Sequence, residues 1–230
     1  CNSTYVVDPS GNADFETIGS AVTACIPGDV IIVNQGIYNE RIVVEDKDIT
    51  IKSNYDSDAE LANFYIENTI IDGSTLSGNE ALVRFVNSGN DTGSSIEGFT
   101  IRNSEVANSE GGALSFYASH VSLTKLLVVD NDVEGNGKGG GIYSDSSVLL
   151  LDNVTMVNND AAQGQAIYFE NNSEIDVVNS IIWNESPEDN FIVSNCGGDD
   201  ILNNLMISNS LIPSSDYWEL SDCCAFCAYN

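Results

Sequence analysis

Gly139-Gly-Gly-Ile-Tyr143 is the stretch that decides the fold, because its pattern of glycine followed by an apolar run returns every 25 to 28 residues. The pattern occurs at Gly111-Gly-Ala-Leu114, at Gly164-Gln-Ala-Ile-Tyr168 and, in degenerate form, at Asn190-Phe-Ile-Val193. Repeats of this length indicate stacked units, each of which can bury its apolar face only against its neighbours.

A second set of apolar runs keeps step with the first, and each run ends at Asn or Asp. These runs span residues 99–103, 126–130, 154–158, 180–184 and 205–209. Alternation along a strand predicts that Phe99, Ile101 and their equivalents point into the core. The terminal Asn or Asp of each run fits a tight turn, because both residues tolerate left-handed backbone. Together the runs predict short parallel strands stacked about 4.8 Å apart.

The region before the repeats has the features of a cap. An amphipathic helix is predicted over residues 15–25, with Asp14 as its N-cap and Pro27-Gly28 after its end. Short apolar strands are predicted to follow at residues 30–33, 41–44 and 49–51.

Several segments carry a family resemblance. Tyr5-Val-Val-Asp8, Gly36-Ile-Tyr38-Asn-Glu40 and Ile49-Thr-Ile51 are similar to the N-terminal cap of the pectin-lyase-like superfamily, which includes pectin methylesterases. Thr69-Ile-Ile-Asp-Gly73 and Gly139-Gly-Gly-Ile-Tyr143 resemble repeats of bacterial surface β-helix proteins and of chlamydial polymorphic outer-membrane proteins. The resemblance extends over residues 5–212 and implies a right-handed parallel β-helix.

We therefore predict an all-β protein, a right-handed single-stranded parallel β-helix of about six coils in one domain. Residues 1–29 are expected to form an N-terminal cap with its helix, and residues 30–212 the coils. Residues 213–230 are expected to form a Cys-rich C-terminal tail.

The charge of the chain excludes two classes of partner. Thirty-five Asp and Glu residues against seven Lys and Arg give a formal net charge of −28. Such a chain repels phosphate backbones and anionic lipid headgroups, so we expect no nucleic-acid partner. No run approaches the roughly 18 apolar residues that span a bilayer, so no direct bilayer insertion is expected.

The cysteines are even in number and lie near the two ends of the chain, which predicts disulfide-stapled caps and an extracellular or cell-surface location. The spacing does not define the pairing, and links between neighbouring copies are an alternative. A lipidated first residue and a metal site in the tail are two further interpretations. The disulfide candidates are Cys1, Cys25, Cys196, Cys223, Cys224 and Cys227.

The same alternation directs one set of apolar side chains outward, where stacking would join them into an apolar stripe. A patch of this kind is rarely left bare. Either the tail, with Tyr217 and Trp218, folds back over the stripe, or another subunit or partner covers it. The predicted members of the stripe are Leu127, Val129, Val157, Ile181, Trp183 and Met206.

No catalytic residues are predicted. The resemblance would imply an Asp-Phe-[Ile/Val]-Phe-Gly catalytic segment, as in pectin methylesterases, and this sequence has no counterpart. The three arginines, Arg41, Arg84 and Arg102, lack the Asp cluster of a pectate-lyase-like calcium site. A second outward column, Tyr143 and Tyr168, is expected either to stack sugars or to support the sheet.

Two kinds of modification or ligand site remain candidates. Asp130, Asp132 and Glu134 precede Gly135 in the order of an acidic calcium loop, although Gly141 replaces its final bidentate Glu, so calcium is the one candidate cofactor and none is required. Candidate glycan acceptors with the Asn-x-Ser/Thr pattern are Asn2, Asn90, Asn153, Asn171 and Asn184.

The leading functional prediction is a non-catalytic, extracellular structural or adhesive protein, in its sharper form a self-assembling cell-surface or filament subunit. Its partners are expected to be other copies of the chain, surface polymers or proteins, and carbohydrate. The alternative is a carbohydrate-active enzyme (a polysaccharide lyase, esterase or hydrolase) or a carbohydrate-binding module on the same scaffold.

Overall fold

The protein is described by a computed structural model over residues 2–55, 59–90, 93–185, 190–195, 203–213, 218–220 and 224–229. Within these residues the chain forms an all-β parallel β-helix of about seven coils with few helical residues. The predicted fold class is thus confirmed. The number of coils exceeds the predicted six because strands of both the cap and the tail join the sheets.

Every strand pairing between named strands is parallel, and four sheets run along the stack. The nine-stranded sheet contains Thr4–Val7 (β1), Val30–Val33 (β2), Thr50–Ser53 (β5), Ser94–Glu97 (β8), His120–Thr124 (β12), Val148–Asp152 (β16), Glu174–Val178 (β20), Asn203–Ser208 (β23) and Cys224–Tyr229 (β25). The seven-stranded sheet contains Ile42–Glu45 (β4), Val83–Val86 (β7), Leu114–Tyr117 (β11), Ile142–Asp145 (β15), Ile167–Glu170 (β19), Ile192–Asn195 (β22) and Trp218–Leu220 (β24).

Two further sheets complete the coils. The six-stranded sheet contains Gly36–Tyr38 (β3), Thr69–Asp72 (β6), Thr100–Arg102 (β9), Leu127–Val129 (β13), Thr155–Val157 (β17) and Ile181–Trp183 (β21). The three-stranded sheet contains Glu105–Ala107 (β10), Asp132–Lys138 (β14) and Asp160–Gln163 (β18). The helices are Ile18–Ala24 (α1) and Ala59–Asn68 (α2). Neither helix has the length and apolar character needed to cross a membrane, and the same holds for the rest of the described chain.

The core confirms the predicted inward faces. Leu114, Ile142 and Ile167 occupy equivalent positions in neighbouring coils and are fully buried. Phe85 and Phe116 stack inside the helix with ring centroids 5.6 Å apart. The inward columns of the nine-, seven- and six-stranded sheets therefore form one continuous core, whereas Val106, Val133 and Ala161 of the three-stranded sheet form a separate small cluster.

The N-terminal helix is shorter than predicted. It begins at Ile18, and Thr17 rather than Asp14 is its N-cap, accepting a hydrogen bond from the Ser20 backbone N–H. Phe15 lies outside the helix and forms a β-bridge with Val7. The apolar residues of this segment belong first to a β-bridge, at Phe15, and then to the helix from Ile18 onward. Helical periodicity alone does not separate the two, so the predicted helix began too early.

Buried side-chain amides at the turns form a ladder that was not predicted from the sequence. Asn131 is fully buried, and its Nδ2 donates to Asn159 Oδ1 at 2.9 Å and to the Val129 carbonyl at 3.0 Å. Asn159 in turn donates to the Val128 carbonyl at 2.9 Å. These bonds satisfy carbonyl groups that leave the strands at the corner. The exposed residue before each of these, such as Asn158, takes the predicted left-handed backbone, with φ of 55°.

Candidate functional site

The outer face of the seven-stranded sheet concentrates polar and aromatic chemistry. Register places Arg84, Ser115, Tyr143 and Tyr168 in one outward column. The rings of Tyr143 and Tyr168 stack with centroids 5.9 Å apart and an interplanar angle of 9°. Tyr117 lies in the adjacent outward column, and its ring is 5.4 Å from that of Tyr143. The predicted outward tyrosine column is therefore present.

A cation and a carboxylate cover two of these rings. Lys138, at the end of β14, lies with Nζ 4.6 Å from the Tyr168 ring centroid and 3.1 Å from Glu170 Oε1. The Tyr143 hydroxyl donates to Glu170 Oε1 at 2.5 Å. Tyr143 and Tyr168 are each only 1% exposed. Of the two roles predicted for this column, support of the sheet fits the observed burial, and open sugar stacking does not.

The electrostatics of this cluster hold Glu170 as a carboxylate. Burial raises the pKa of Glu170, but hydrogen bonds from Tyr143, Lys138 and Asn195 outweigh that effect, so the pKa lies below its ordinary value. Burial, followed by the hydrogen bond to Glu170, raises the pKa of Tyr143 and keeps its hydroxyl protonated. The cluster is thus a closed, charge-paired network rather than an open ligand site.

An open cleft lies next to the cluster, at the N-terminal side of the same face. Its volume is about 260 Å³. The Arg84 guanidinium lies over the Tyr117 ring, 4.6 Å from its centroid, and Nη1 is 3.4 Å from Glu80 Oε1. The Tyr117 hydroxyl donates to Glu110 Oε2 at 3.0 Å. The lining consists of Asn79, Glu80, Ala81, Arg84, Asn108, Ser109, Glu110, Ser115 and Tyr117.

A second arginine fixes one wall of this cleft. Arg41 Nε donates to the Glu80 carbonyl at 2.9 Å, and Nη1 donates to the Ser77 carbonyl at 3.2 Å. These bonds tie the segment between β6 and β7 to the neighbouring coil. The carboxylate of Glu80 is thereby held where it meets Arg84.

No site was predicted for Arg84 from the sequence. Alternation gave a signal, since residues 83–86 read Val-Arg-Phe-Val and Arg84 then lies on the face opposite to Val83 and Phe85. The carboxylates could not be found in this way. Glu80 and Glu110 lie in segments outside the repeated strands, so no periodicity predicts that they meet Arg84 and Tyr117.

Five of the six residues predicted for the apolar stripe do share one surface. Leu127, Val129, Val157, Ile181 and Trp183 all lie on the outer face of the six-stranded sheet.

The prediction for Met206 is wrong. Met206 belongs to β23 of the nine-stranded sheet, where it pairs with Asp176. The run 205–209 resembles the runs that end at Asn158 and Asn184, but its register matches residues 175–179 instead. Both sets of runs end in Asn, so the terminal residue could not distinguish them.

The backbone of the tail does not fold back over this surface. β24 pairs with β22 and β25 pairs with β23, so both strands extend the stack. The backbones of these two strands therefore lie on the seven- and nine-stranded sheets, and cover of the stripe by another subunit or partner remains a prediction. Tyr217 lies outside the described residues.

The acidic residues of the candidate calcium loop are spread over a turn and a strand. Asp130 occupies the turn with φ of 56°, while Asp132 and Glu134 belong to β14. Burial raises the pKa of Asp132, and Asp160, Glu134 and Glu105 add to this effect. Within the described part of the chain, no group of three or more His, Cys, Asp or Glu side chains is arranged to hold a metal ion. Calcium binding remains a prediction.

Of the six cysteines predicted as disulfide candidates, the structure describes the side chain of one. Cys25 is a buried free thiol, whereas Cys1, Cys196 and Cys223 lie outside the described residues, as do the side chains of Cys224 and Cys227. The disulfide pairing therefore remains a prediction.

Most of the candidate glycan acceptors reach the surface. Asn2, Asn90 and Asn153 are exposed, and Asn171 is half-buried. Asn184 is buried, and its amide donates to the Asn159 carbonyl at 2.8 Å. Glycosylation of these residues remains a prediction.

The chain has the pectin-lyase-like parallel β-helix fold. A carrot pectin methylesterase superposes with a TM-score of 0.52 and 16% identity, over 95% of this chain and 77% of the other. The pectin methylesterase PemA from Erwinia chrysanthemi gives 0.54 and 13% identity, over 96% of this chain and 81% of the other. The sequence matches no protein-family model and no curated protein. At this identity the likeness establishes the fold alone.

Proposed function

We propose that this protein binds a carbohydrate chain in the cleft formed by Arg84, Tyr117 and Glu110. The observation that carries the proposal is the cleft itself, in which an arginine, an aromatic ring and two carboxylates converge on the outer face of the seven-stranded sheet. A concave site with convergent polar groups is the usual form of a small-ligand site. The two fold neighbours are named as pectin methylesterases, which supports a carbohydrate as the ligand to test first.

The lining fits a neutral polar ligand better than an apolar one. Asn79 and Asn108 are exposed and offer both donors and acceptors, and Glu80 and Glu110 can accept hydrogen bonds from hydroxyl groups. The face continues along stacked strands about 4.8 Å apart, so a linear polymer can extend beyond the cleft. Binding without turnover retains the extracellular adhesive role that the sequence predicts, and we propose an extracellular or cell-surface location with it.

Oligosaccharide binding by calorimetry tests this function. Arg84→Ala is expected to weaken binding about tenfold, since it removes both the charge and the cover of the Tyr117 ring. Arg102→Ala is the matched control, because Arg102 has similar side-chain exposure and also pairs with a carboxylate, but on another sheet. Absence of binding to every neutral and acidic oligosaccharide, or equal losses in both variants, would refute the proposal.

A second candidate function is catalysis in the same cleft, because two carboxylates, Glu80 and Glu110, line it. Glycoside hydrolysis commonly uses such a pair as acid and as base or nucleophile. Release of reducing ends, of unsaturated products or of ester-derived alcohol would distinguish a hydrolase, a lyase and an esterase. Turnover that survives in both Glu80→Gln and Glu110→Gln would exclude this cleft as the catalytic site.

A further inference from the structure

The outer face of the six-stranded sheet contains an apolar floor, defined by Leu127, Val129, Thr155, Val157, Ile181 and Trp183. None of these six side chains carries a charge, in a chain whose net charge is −28. Exposure is greatest at the C-terminal end, where Ile181 is 44% and Trp183 is 42% exposed. The outward column that contains Trp183, Val157 and Val129 continues to Arg102 and Asp72, which neutralise each other at 2.7 Å.

Helix α2 forms a ridge beside this floor. It packs against β6 and β9, the strands that continue the same sheet. The Thr100 hydroxyl, in the outward column of Leu127 and Ile181, donates to the Ile66 carbonyl of the helix at 2.8 Å. Phe64 of the helix is 52% exposed. One face of the molecule therefore presents a raised apolar side chain next to a lower apolar surface.

We propose that a second copy of this chain occupies the floor, with the α2 ridge of each copy resting on the floor of the other. A ridge and a floor side by side on one face are self-complementary under a two-fold axis, as an isologous dimer requires. The backbones of the described tail strands, β24 and β25, extend two other sheets of the stack and do not join the sheet that carries the floor. The pairing also brings together the uncharged parts of two strongly acidic molecules.

Charge gives this contact a distinctive dependence on salt. Two copies that each carry −28 repel one another, and added salt screens that repulsion. Dimerisation is therefore expected to strengthen as ionic strength rises. A basic partner protein on the same floor would instead bind more weakly as ionic strength rises, because salt screens its attraction to the acidic chain.

Sedimentation equilibrium of the full chain, at several concentrations and from low to high salt, tests the proposal. Trp183→Glu and Phe64→Lys are each expected to raise the dimer dissociation constant about tenfold or more. The double variant is expected to regain most of the lost affinity, because each ridge lysine then faces a floor glutamate. Leu150→Glu and Leu150→Lys are matched controls, since Leu150 is 42% exposed on the nine-stranded sheet.

The outcomes separate the occupants of the floor. A wild-type chain that stays monomeric at high concentration and high salt would overturn the proposal, and so would association that weakens with salt. Equal losses in the Leu150 variants would show that added charge acts non-specifically. Failure of the double variant to recover would contradict the placement of the ridge on the floor. Thermal unfolding of every variant confirms that its fold is intact. Carbohydrate binding lies on a different sheet and is measured independently.

Discussion

Lys138 and Glu170 form an ion pair across two sheets, with Nζ of the lysine 3.1 Å from Oε1 of the carboxylate. Lys138 ends a strand of the three-stranded sheet, and Glu170 ends a strand of the seven-stranded sheet. The pair covers the stacked rings of Tyr143 and Tyr168 and separates them from solvent. The Lys138 side chain thus links the three-stranded sheet to the seven-stranded sheet.

Removing either partner of this pair should destabilise the fold. Lys138→Met leaves the Glu170 carboxylate largely buried without its cation, at a cost of about 3 kcal/mol in the free energy of unfolding. Lys125→Met is the control, because the Lys125–Glu97 pair is longer, at 3.4 Å, and more exposed. Urea unfolding measures both variants. Equal, small losses would show that Lys138 contributes no more than a surface charge.

The same pair sets a dependence on pH. Because the folded-state pKa of Glu170 lies below its ordinary value of 4.5, its stabilising contribution is present above that value. It is lost as pH falls through the folded-state pKa. The difference in unfolding free energy between the wild type and Glu170→Gln should therefore be constant near neutrality and shrink below about pH 4.5. A difference that grows on acidification would contradict this assignment.

The ionised Asp132 side chain should destabilise the fold at neutral pH, which is the opposite of the effect of Glu170. Burial and the nearby Asp160 and Glu134 raise its pKa above the ordinary 3.8, so its charged form destabilises the fold at neutral pH. Asp132→Asn is expected to raise the melting temperature by on the order of 2 °C at pH 7. The gain should vanish below pH 3.8.

Calcium provides a second measurement on the Asp132 variant. If the acidic loop binds calcium, the ion should raise the melting temperature of the wild type, and Asp132→Asn should abolish that rise. Calorimetric titration with no uptake would remove the calcium hypothesis. Glu67→Gln, an exposed acid on α2, is the control for loss of one negative charge.

The buried amide ladder should be sensitive to truncation. Asn131→Ala removes the side-chain donor to the Val129 and Ile101 carbonyls and to Asn159 Oδ1, at a cost of about 1–3 kcal/mol. Asn136→Ala, on the exposed part of β14, should change the unfolding free energy by less than about 0.5 kcal/mol. Similar losses in the two variants would show that the ladder is not a special source of stability.

Cys25 should resist alkylation in the folded state. Burial, and secondarily the nearby Asp29, raises the pKa of its thiol to about 11, so little thiolate is present at pH 8. Mass spectrometry after brief iodoacetamide treatment should find Cys25 unmodified in native buffer and modified in urea. Intact mass under non-reducing conditions also tests the disulfide prediction. Rapid native labelling, or a disulfide at Cys25, would contradict the buried free thiol.

The sequence predicted the stack because each coil repeats the same burial requirement, and Leu114, Ile142 and Ile167 satisfy it at equivalent positions. The register between coils was harder to predict, because Asn ends two different strands of a coil. Met206 was assigned to the wrong sheet for that reason. Helix α2 was not predicted because it interrupts the repeat only once.

The site was least predictable because its two carboxylates, Glu80 and Glu110, lie outside the repeated strands. Arg84 could be placed on the outer face by alternation, but Glu80 reaches it only through a loop held by Arg41. Long-range contacts of this kind leave no periodic trace in the sequence. The ion pair between Lys138 and Glu170 is equally hard to predict, because the two residues lie 32 positions apart in the sequence and on different sheets.

The parallel register between neighbouring coils has a consequence for how such a chain can change. Leu114 pairs with Ile142, and Ile142 with Ile167, so the ladder bonds of a coil are made with the coils directly before and after it. Duplication of one such unit would lengthen the molecule by about 4.8 Å and present the same docking edges to its neighbours. Adding or removing coils could then change the distance between the cleft and the apolar floor in fixed steps, while the internal packing of each remaining coil stays the same.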